Sequence, residues 1–181
     1  MCWLWCRAQT GAPMMQAIQT RYRGYHFRSR LEARWAVFFD ALNVAWEYEI
    51  EGFELPSGRY LPDFKLGHDH RWVEVKPAGI TNKELIKPTK SLCDLLKLKM
   101  PSLGIIVEGC PGQYSPPFIA GNVDGEVWCG LDSKRFHTPR PICTMSLFVQ
   151  MLGAPGDTDQ FMRACNAAKS ARFEFGESGA T

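Results

Sequence analysis

Val73-Glu74-Val75-Lys76, with Leu61-Pro62-Asp63-Phe64 ahead of it and Arg30-Leu31-Glu32-Ala33-Arg34-Trp35 further upstream, is the stretch on which the reading of this chain turns. Arg71 to Lys76 alternates as a strand does, so Glu74 and Lys76 face one way and Val75 the other. Arg59 to Leu66 reads as the preceding strand, joined to it by a Gly67-His68-Asp69-His70 hairpin loop. Pairing of these strands brings Asp63 beside Glu74. Two carboxylates held close repel, which raises the pKa of one unless a cation joins them.

Outward from this hairpin the elements follow from periodicity. Leu31, Trp35, Phe38, Phe39 and Leu42 recur at helical spacing, predicting a helix over Ser29–Leu42. Ser29 followed by Glu32 is a capping-box pattern. Trp46 to Ile50 alternates as a strand, and Pro56-Ser57-Gly58 is a turn. Pro77-Ala78-Gly79 ends the Arg71–Lys76 strand, and a lysine-rich helix is expected over Asn82–Met100, with Pro88 as a break or start point. Leu103 to Val107 suits a buried central strand. Residues 109–125, with four glycines and three prolines, read as a loop, and Glu126 to Cys129 as an edge strand. Helices are expected over Met145–Leu152 and Asp157–Phe173, separated by Gly153-Ala154-Pro155-Gly156. This order predicts an α/β (α+β) fold, a mixed sheet with helices packed on it. Residues 1–20 lack periodicity and read as a flexible tail, 21–153 as the core, and 154–181 as a C-terminal helix and tail.

The 181 residues suffice for one domain with a real core and are too few for two comfortable ones. Hydrophobic residues at 45% and charged residues at 22% are ordinary globular proportions. A formal net charge of +2 excludes a polycation, so local charge is what informs. Between Arg21 and Arg34 five arginines face one acid, and between Lys83 and Lys99 five lysines face Glu84 and Asp94. Two basic stretches flanking a carboxylate cluster suit an anionic polymer, although each alone also suits a solvated helix face. Seven scattered cysteines, an odd number without a C-x-x-C pair, argue against a disulfide scaffold and for a reduced, cytoplasmic chain. Cys2 and Cys6 have no second pair to complete a zinc site, and His68 and His70 read as a polar turn ahead of a metal site. The opening Met-Cys-Trp-Leu-Trp-Cys lacks the charge and length of a signal peptide, and no stretch approaches a membrane span.

The chemistry these residues suit is hard-cation chemistry. Asp63 and Glu74, with the Val75 backbone carbonyl, are candidate ligands for Mg²⁺. Lys76 is placed to orient a water or to stabilise charge developing on a phosphate. Arg28, Arg30, Arg34, Lys83, Lys87 and Lys90 are candidate phosphate contacts, and Tyr25 a base-stacking candidate. Each residue also has a plain reading: Glu32 as a capping residue, Asp63 as a turn acid, Glu74 and Lys76 as a surface ion pair.

The stretch from about Tyr22 to Lys76 resembles the catalytic core of the PD-(D/E)xK nuclease superfamily, whose fold is restriction-endonuclease-like. Pro62-Asp63 resembles its Pro-Asp, Glu74-Val75-Lys76 its acid-x-Lys, and Glu32 the helical glutamate of many members. The closing Ala167-Ala168-Lys169-Ser170-Ala171-Arg172-Phe173-Glu174 is similar to the tails of phage proteins of this type. The Gln-x-x-x-Tyr element of the exonuclease branch has no clear match, which points to an endonuclease. The resemblance implies hydrolysis of DNA phosphodiesters by a metal-activated water, leaving a 5′-phosphate and a 3′-hydroxyl, with RNA still open as substrate. It implies Mg²⁺ as cofactor, with Mn²⁺ as a substitute. Asp63 and Glu74 would be its ligands, Lys76 the water-positioning residue, and Glu32 the ligand of a second metal or of a metal-bound water. Double-strand cleavage would need a homodimer or a larger complex. The alternatives are a catalytically silent nucleic-acid-binding subunit of a phage or mobile-element assembly, and a Cys/His zinc protein.

Overall fold

The computed structural model describes residues 17–67, 71–98, 102–112, 118–123, 126–129, 150–154 and 157–173. The chain opens with a hairpin of β1 (Thr20–Tyr22) and β2 (Tyr25–Phe27). Its tight turn places Arg23 (φ 47°) and Gly24 (φ 82°) in the left-handed region, as two-residue hairpin loops require. Periodicity in runs of three residues is too short to reveal, and β1 starts at Thr20, a buried residue in the stretch expected to be tail.

Helix α1 (Arg30–Ala41) follows, with Ser29 as N-cap and a buried stripe of Trp35, Phe38 and Phe39. Strand β3 (Trp46–Tyr48) is shorter than the alternation predicts, because Glu49 turns to φ 45° and ends it. The single strand expected over Arg59–Leu66 is two elements. Gly58–Tyr60 (β5) pairs with an unanticipated Phe53–Leu55 (β4), and Phe64–Leu66 (β6) joins the main sheet. Leu61-Pro62-Asp63 separates them, Pro62 having no N–H for a ladder.

Strand β7 (Arg71–Lys76) has its predicted bounds, and its hairpin loop at 68–70 lies outside the described residues. Helix α2 (Asn82–Leu98) runs through Pro88 without breaking there. Proline in a helix costs about 3 kcal/mol; here full burial of Leu92, Leu95 and Leu96 over the next two turns anchors the helix and outweighs it. Strand β8 (Ser102–Glu108) is central, as expected. The expected loop at 109–125 instead contains β9 (Phe118–Val123), which pairs β8 through Gly121, a residue that hides the strand in a glycine-rich stretch. Strand β10 (Glu126–Cys129) is the edge strand expected. Of the predicted helix over Met145–Leu152, all before residue 150 lies outside the described residues. The last helix, α3 (Thr158–Ser170), is N-capped by Asp157.

Six strands form one mixed sheet in the order β10-β9-β8-β7-β6-β3, with β7 and β8 parallel and every other pair antiparallel. The fold is therefore α+β. One face carries α1 and α3: Phe64, Val73, Val75, Ile105 and Val107 pack with Phe38, Phe161 and Ala164. The other face carries α2 and the β4–β5 hairpin, where Trp72 and Ile106 meet Phe53, Tyr60 and Leu92. Close approach of α2 demands Gly104, since a Cβ there would lie 2.6 Å from Leu92 Cγ. The C-terminal helix belongs to the same core as α1, whose Arg34 donates to the Ala168 and Lys169 carbonyls at 2.7 and 2.6 Å. No helix among the described residues is long and apolar enough to cross a membrane.

Candidate active site

The β7 ladder brings three chain segments to one edge of the sheet. This is the carboxyl end of β7, where Glu74 and Lys76 stand. Strands β6 and β7 pair Phe64 with Val73, so Asp63 comes opposite Glu74. Strand β3 pairs Tyr48 with Phe64, bringing Tyr48 and Glu49 to the same edge. Hydrogen bonds from Arg28 and Ser29 add the start of α1.

Asp63 is buried and accepts two bonds. The Val75 N–H donates to Oδ2 at 2.7 Å and Arg28 Nη2 to Oδ1 at 2.7 Å. Glu74 is buried too. The Tyr60 hydroxyl donates to its Oε2 at 3.0 Å, and Lys76 Nζ pairs with its Oε1 at 2.5 Å. Lys76 remains partly open to solvent, with 26% of its side chain exposed. Glu32 stands a layer back. Its Oε1 accepts from the Ser29 hydroxyl at 2.7 Å; its Oε2 accepts from the Tyr48 hydroxyl and from the Arg28 N–H at 3.2 Å. The capping pattern is thus present, as the Ser29 hydroxyl also accepts from the Glu32 N–H at 3.2 Å, but the carboxylate is turned to the site's supports.

The electrostatics are those of crowded acids. Burial, then the Glu74 charge, pushes the Asp63 carboxyl up to about 7, and Glu32 adds to the rise; the Val75 N–H and Lys76 oppose it. Burial raises the Tyr60 and Tyr48 hydroxyls as well, reinforced by Glu74 and Glu32 respectively, so both remain protonated donors. Burial alone would lower Arg28, but Tyr48, Asp63 and Glu49 outweigh it and leave its charge secure.

The donor set fits a hard divalent cation. Mg²⁺ takes one or two carboxylates and keeps several waters. Asp63 and Glu74 are two buried carboxylates whose mutual repulsion an ion would relieve. Among the described residues no group of three His, Cys, Asp or Glu side chains has metal-binding geometry; Glu32 acts on Asp63 through its charge. Cys2, Cys6, His68 and His70 lie outside the described residues.

The structure thus sets two bonded groups side by side, Glu32 with Arg28 and Asp63, and Glu74 with Lys76, adjoining where the Val75 N–H meets Asp63. The other predicted contacts are dispersed. Arg30 is exposed at the start of α1, and Lys83, Lys87 and Lys90 are exposed along α2. Arg34 is committed to the carbonyls of α3 rather than to this edge. Tyr25 is exposed and tilted against Trp46, with ring centroids 4.9 Å apart. Tyr22, by contrast, is core, its hydroxyl donating to Asp40 at 2.7 Å. Tyr48, Glu49 and Tyr60 have no motif to announce them. Each acquires its place through tertiary pairing.

Comparison with family models, with curated proteins and with solved structures returned no match. The functional reading accordingly stands on these residues and their geometry.

Proposed function

We propose that this chain is a Mg²⁺-dependent endonuclease of the PD-(D/E)xK type, with a restriction-endonuclease-like core, hydrolysing DNA phosphodiesters. One observation carries the reading: Asp63 and Glu74 come together as buried carboxylates at a strand end, with Lys76 2.5 Å from Glu74. An acid pair of this kind is costly to bury for structure alone.

Asp63, Glu74 and the Val75 carbonyl would hold the ion. When bound, Mg²⁺ supplies the charge that lowers the pKa of water and neutralises the phosphate. The Val75 N–H and Tyr60 hydroxyl fix the two carboxylates, so neither reorganises when substrate arrives. Lys76 orients the attacking water and faces the charge that builds on the phosphate oxygens. A water oxygen–phosphorus bond forms and the phosphorus–O3′ bond breaks. The water loses a proton and the departing oxygen takes one up, leaving a 5′-phosphate and a 3′-hydroxyl. Arg30 and the exposed Lys83, Lys87 and Lys90 supply phosphate contacts along the strand. One such site cuts one strand, so duplex cleavage requires a second copy or a partner.

The test is incubation with plasmid, linear duplex and branched DNA in Mg²⁺ or EDTA. Mg²⁺-dependent cleavage is expected, and the preferred substrate names the subclass. DNA binding without cleavage at any Mg²⁺ concentration would return the chain to the binding-subunit reading.

A further inference from the structure

Arg28 is shared between two acids. Its Nη2 lies 2.7 Å from Asp63 Oδ1 and its Nε 2.6 Å from Glu49 Oε1. Its backbone is pinned, the N–H donating to Glu32 Oε2 and to the Tyr48 hydroxyl at 3.2 and 3.1 Å. The side chain is more than half exposed, at 56%, so it can move without disturbing the core. Glu49 is fixed through its backbone, while its Oε1 meets Arg28 as an ion pair without hydrogen-bond geometry. It adopts a left-handed φ of 45° that a non-glycine residue takes only under constraint, and its N–H donates to the Asp63 carbonyl at 3.0 Å. The constraint has a visible result: the Glu49 carboxylate and Asp63 grip one guanidinium from two sides. Removing that guanidinium without a replacement would leave two acids facing each other, so Arg28 leaves only when another cation enters.

We propose that Glu49 is a positioning residue that parks Arg28 on Asp63, and that Arg28 passes to a phosphate of the nucleic acid when a divalent cation takes Asp63. The exchange couples the two ligands: cation binding frees a phosphate-binding arginine, and phosphate capture of Arg28 vacates Asp63. By linkage each ligand tightens the other by the same factor. This rests on the reading of Asp63 as a cation ligand.

The test is fluorescence anisotropy of a labelled DNA duplex with the full chain, with and without Mg²⁺, in a Lys76→Ala background, read before its slowed cleavage consumes the duplex. Arg28→Ala should change DNA affinity less than twofold without Mg²⁺ and weaken it about tenfold with Mg²⁺, the loss of one charge-assisted phosphate contact. Glu49→Gln should strengthen binding without Mg²⁺ several-fold, and that gain should vanish in the Arg28→Ala/Glu49→Gln double variant. An Arg28→Ala effect of equal size in both conditions, or in neither, overturns the exchange. So does a Glu49→Gln gain that survives in the double variant. Calorimetric titration of the parent chain with Mg²⁺ separates the failures. No heat of binding defeats the metal reading of the site along with the exchange; binding with a Mg²⁺-independent Arg28 effect defeats the exchange alone.

Discussion

Tyr60 donates its hydroxyl to Glu74 at 3.0 Å from a hairpin outside the main sheet, so the second carboxylate of the site depends on a residue of the core beneath α2. The Tyr60→Phe variant keeps the ring and removes that donor. It should lose about 1–3 kcal/mol of stability, the cost of leaving a buried acceptor short, and should need more Mg²⁺ for half-maximal cleavage. Urea denaturation beside a Mg²⁺ titration checks both. Unchanged Mg²⁺ dependence would reduce Tyr60 to a packing residue.

The Asp63 carboxyl, pushed up to about 7 by burial and then by Glu74, sets a pH signature. In the unfolded chain an aspartate titrates near ~3.9. Between those values the fold binds a proton that the unfolded chain does not. This contribution to stability is therefore full below about pH 4 and lost as pH rises to about 7. The melting temperature of metal-free wild type, relative to Asp63→Asn, should fall from pH 5 to pH 7 and then level. Mg²⁺ affinity should climb over the same range, because the ion needs the ionised form. A wild-type-minus-variant difference flat in pH would contradict this.

Arg34 ties α1 to the last carbonyls of α3. Arg34→Met should destabilise the fold by about 1–3 kcal/mol and leave DNA affinity unchanged. Denaturation and anisotropy separate the roles; a large loss of affinity with intact stability would restore Arg34 to the nucleic-acid surface.

Lys83, Lys87 and Lys90 are exposed on α2. If all three contact phosphates, the triple alanine variant should flatten the dependence of log Kd on log salt by about 2–3, close to 0.9 per contact. An unaltered slope would make them a solvated helix face.

Much of this arrangement is legible in the sequence, and the illegible parts have a common cause. The Val73-Glu74-Val75-Lys76 alternation fixes β7 and the shared direction of Glu74 and Lys76, because strand parity is local. The Ser29–Glu32 cap and apolar stripe fix α1 for the same reason. The residues that hold the site do not announce themselves. Tyr60 reaches Glu74 only because β4 and β5 fold over Trp72, and Glu49 meets Arg28 only because β3 ends at a left-handed residue. Short strands and tertiary hydrogen bonds leave no periodic trace. Pro88 misleads in the other direction, since the local rule against proline yields to buried leucines further along α2.

The most direct measurement is conversion of supercoiled plasmid to open circle by wild type and by Lys76→Ala, at Mg²⁺ concentrations that calorimetry shows to saturate both. Wild type should nick in Mg²⁺ and not in EDTA, and Lys76→Ala should be slower by about two to three orders of magnitude at equal metal occupancy. Equal nicking by the two proteins, or none by either with Mg²⁺ bound, would contradict a nuclease built on Asp63, Glu74 and Lys76.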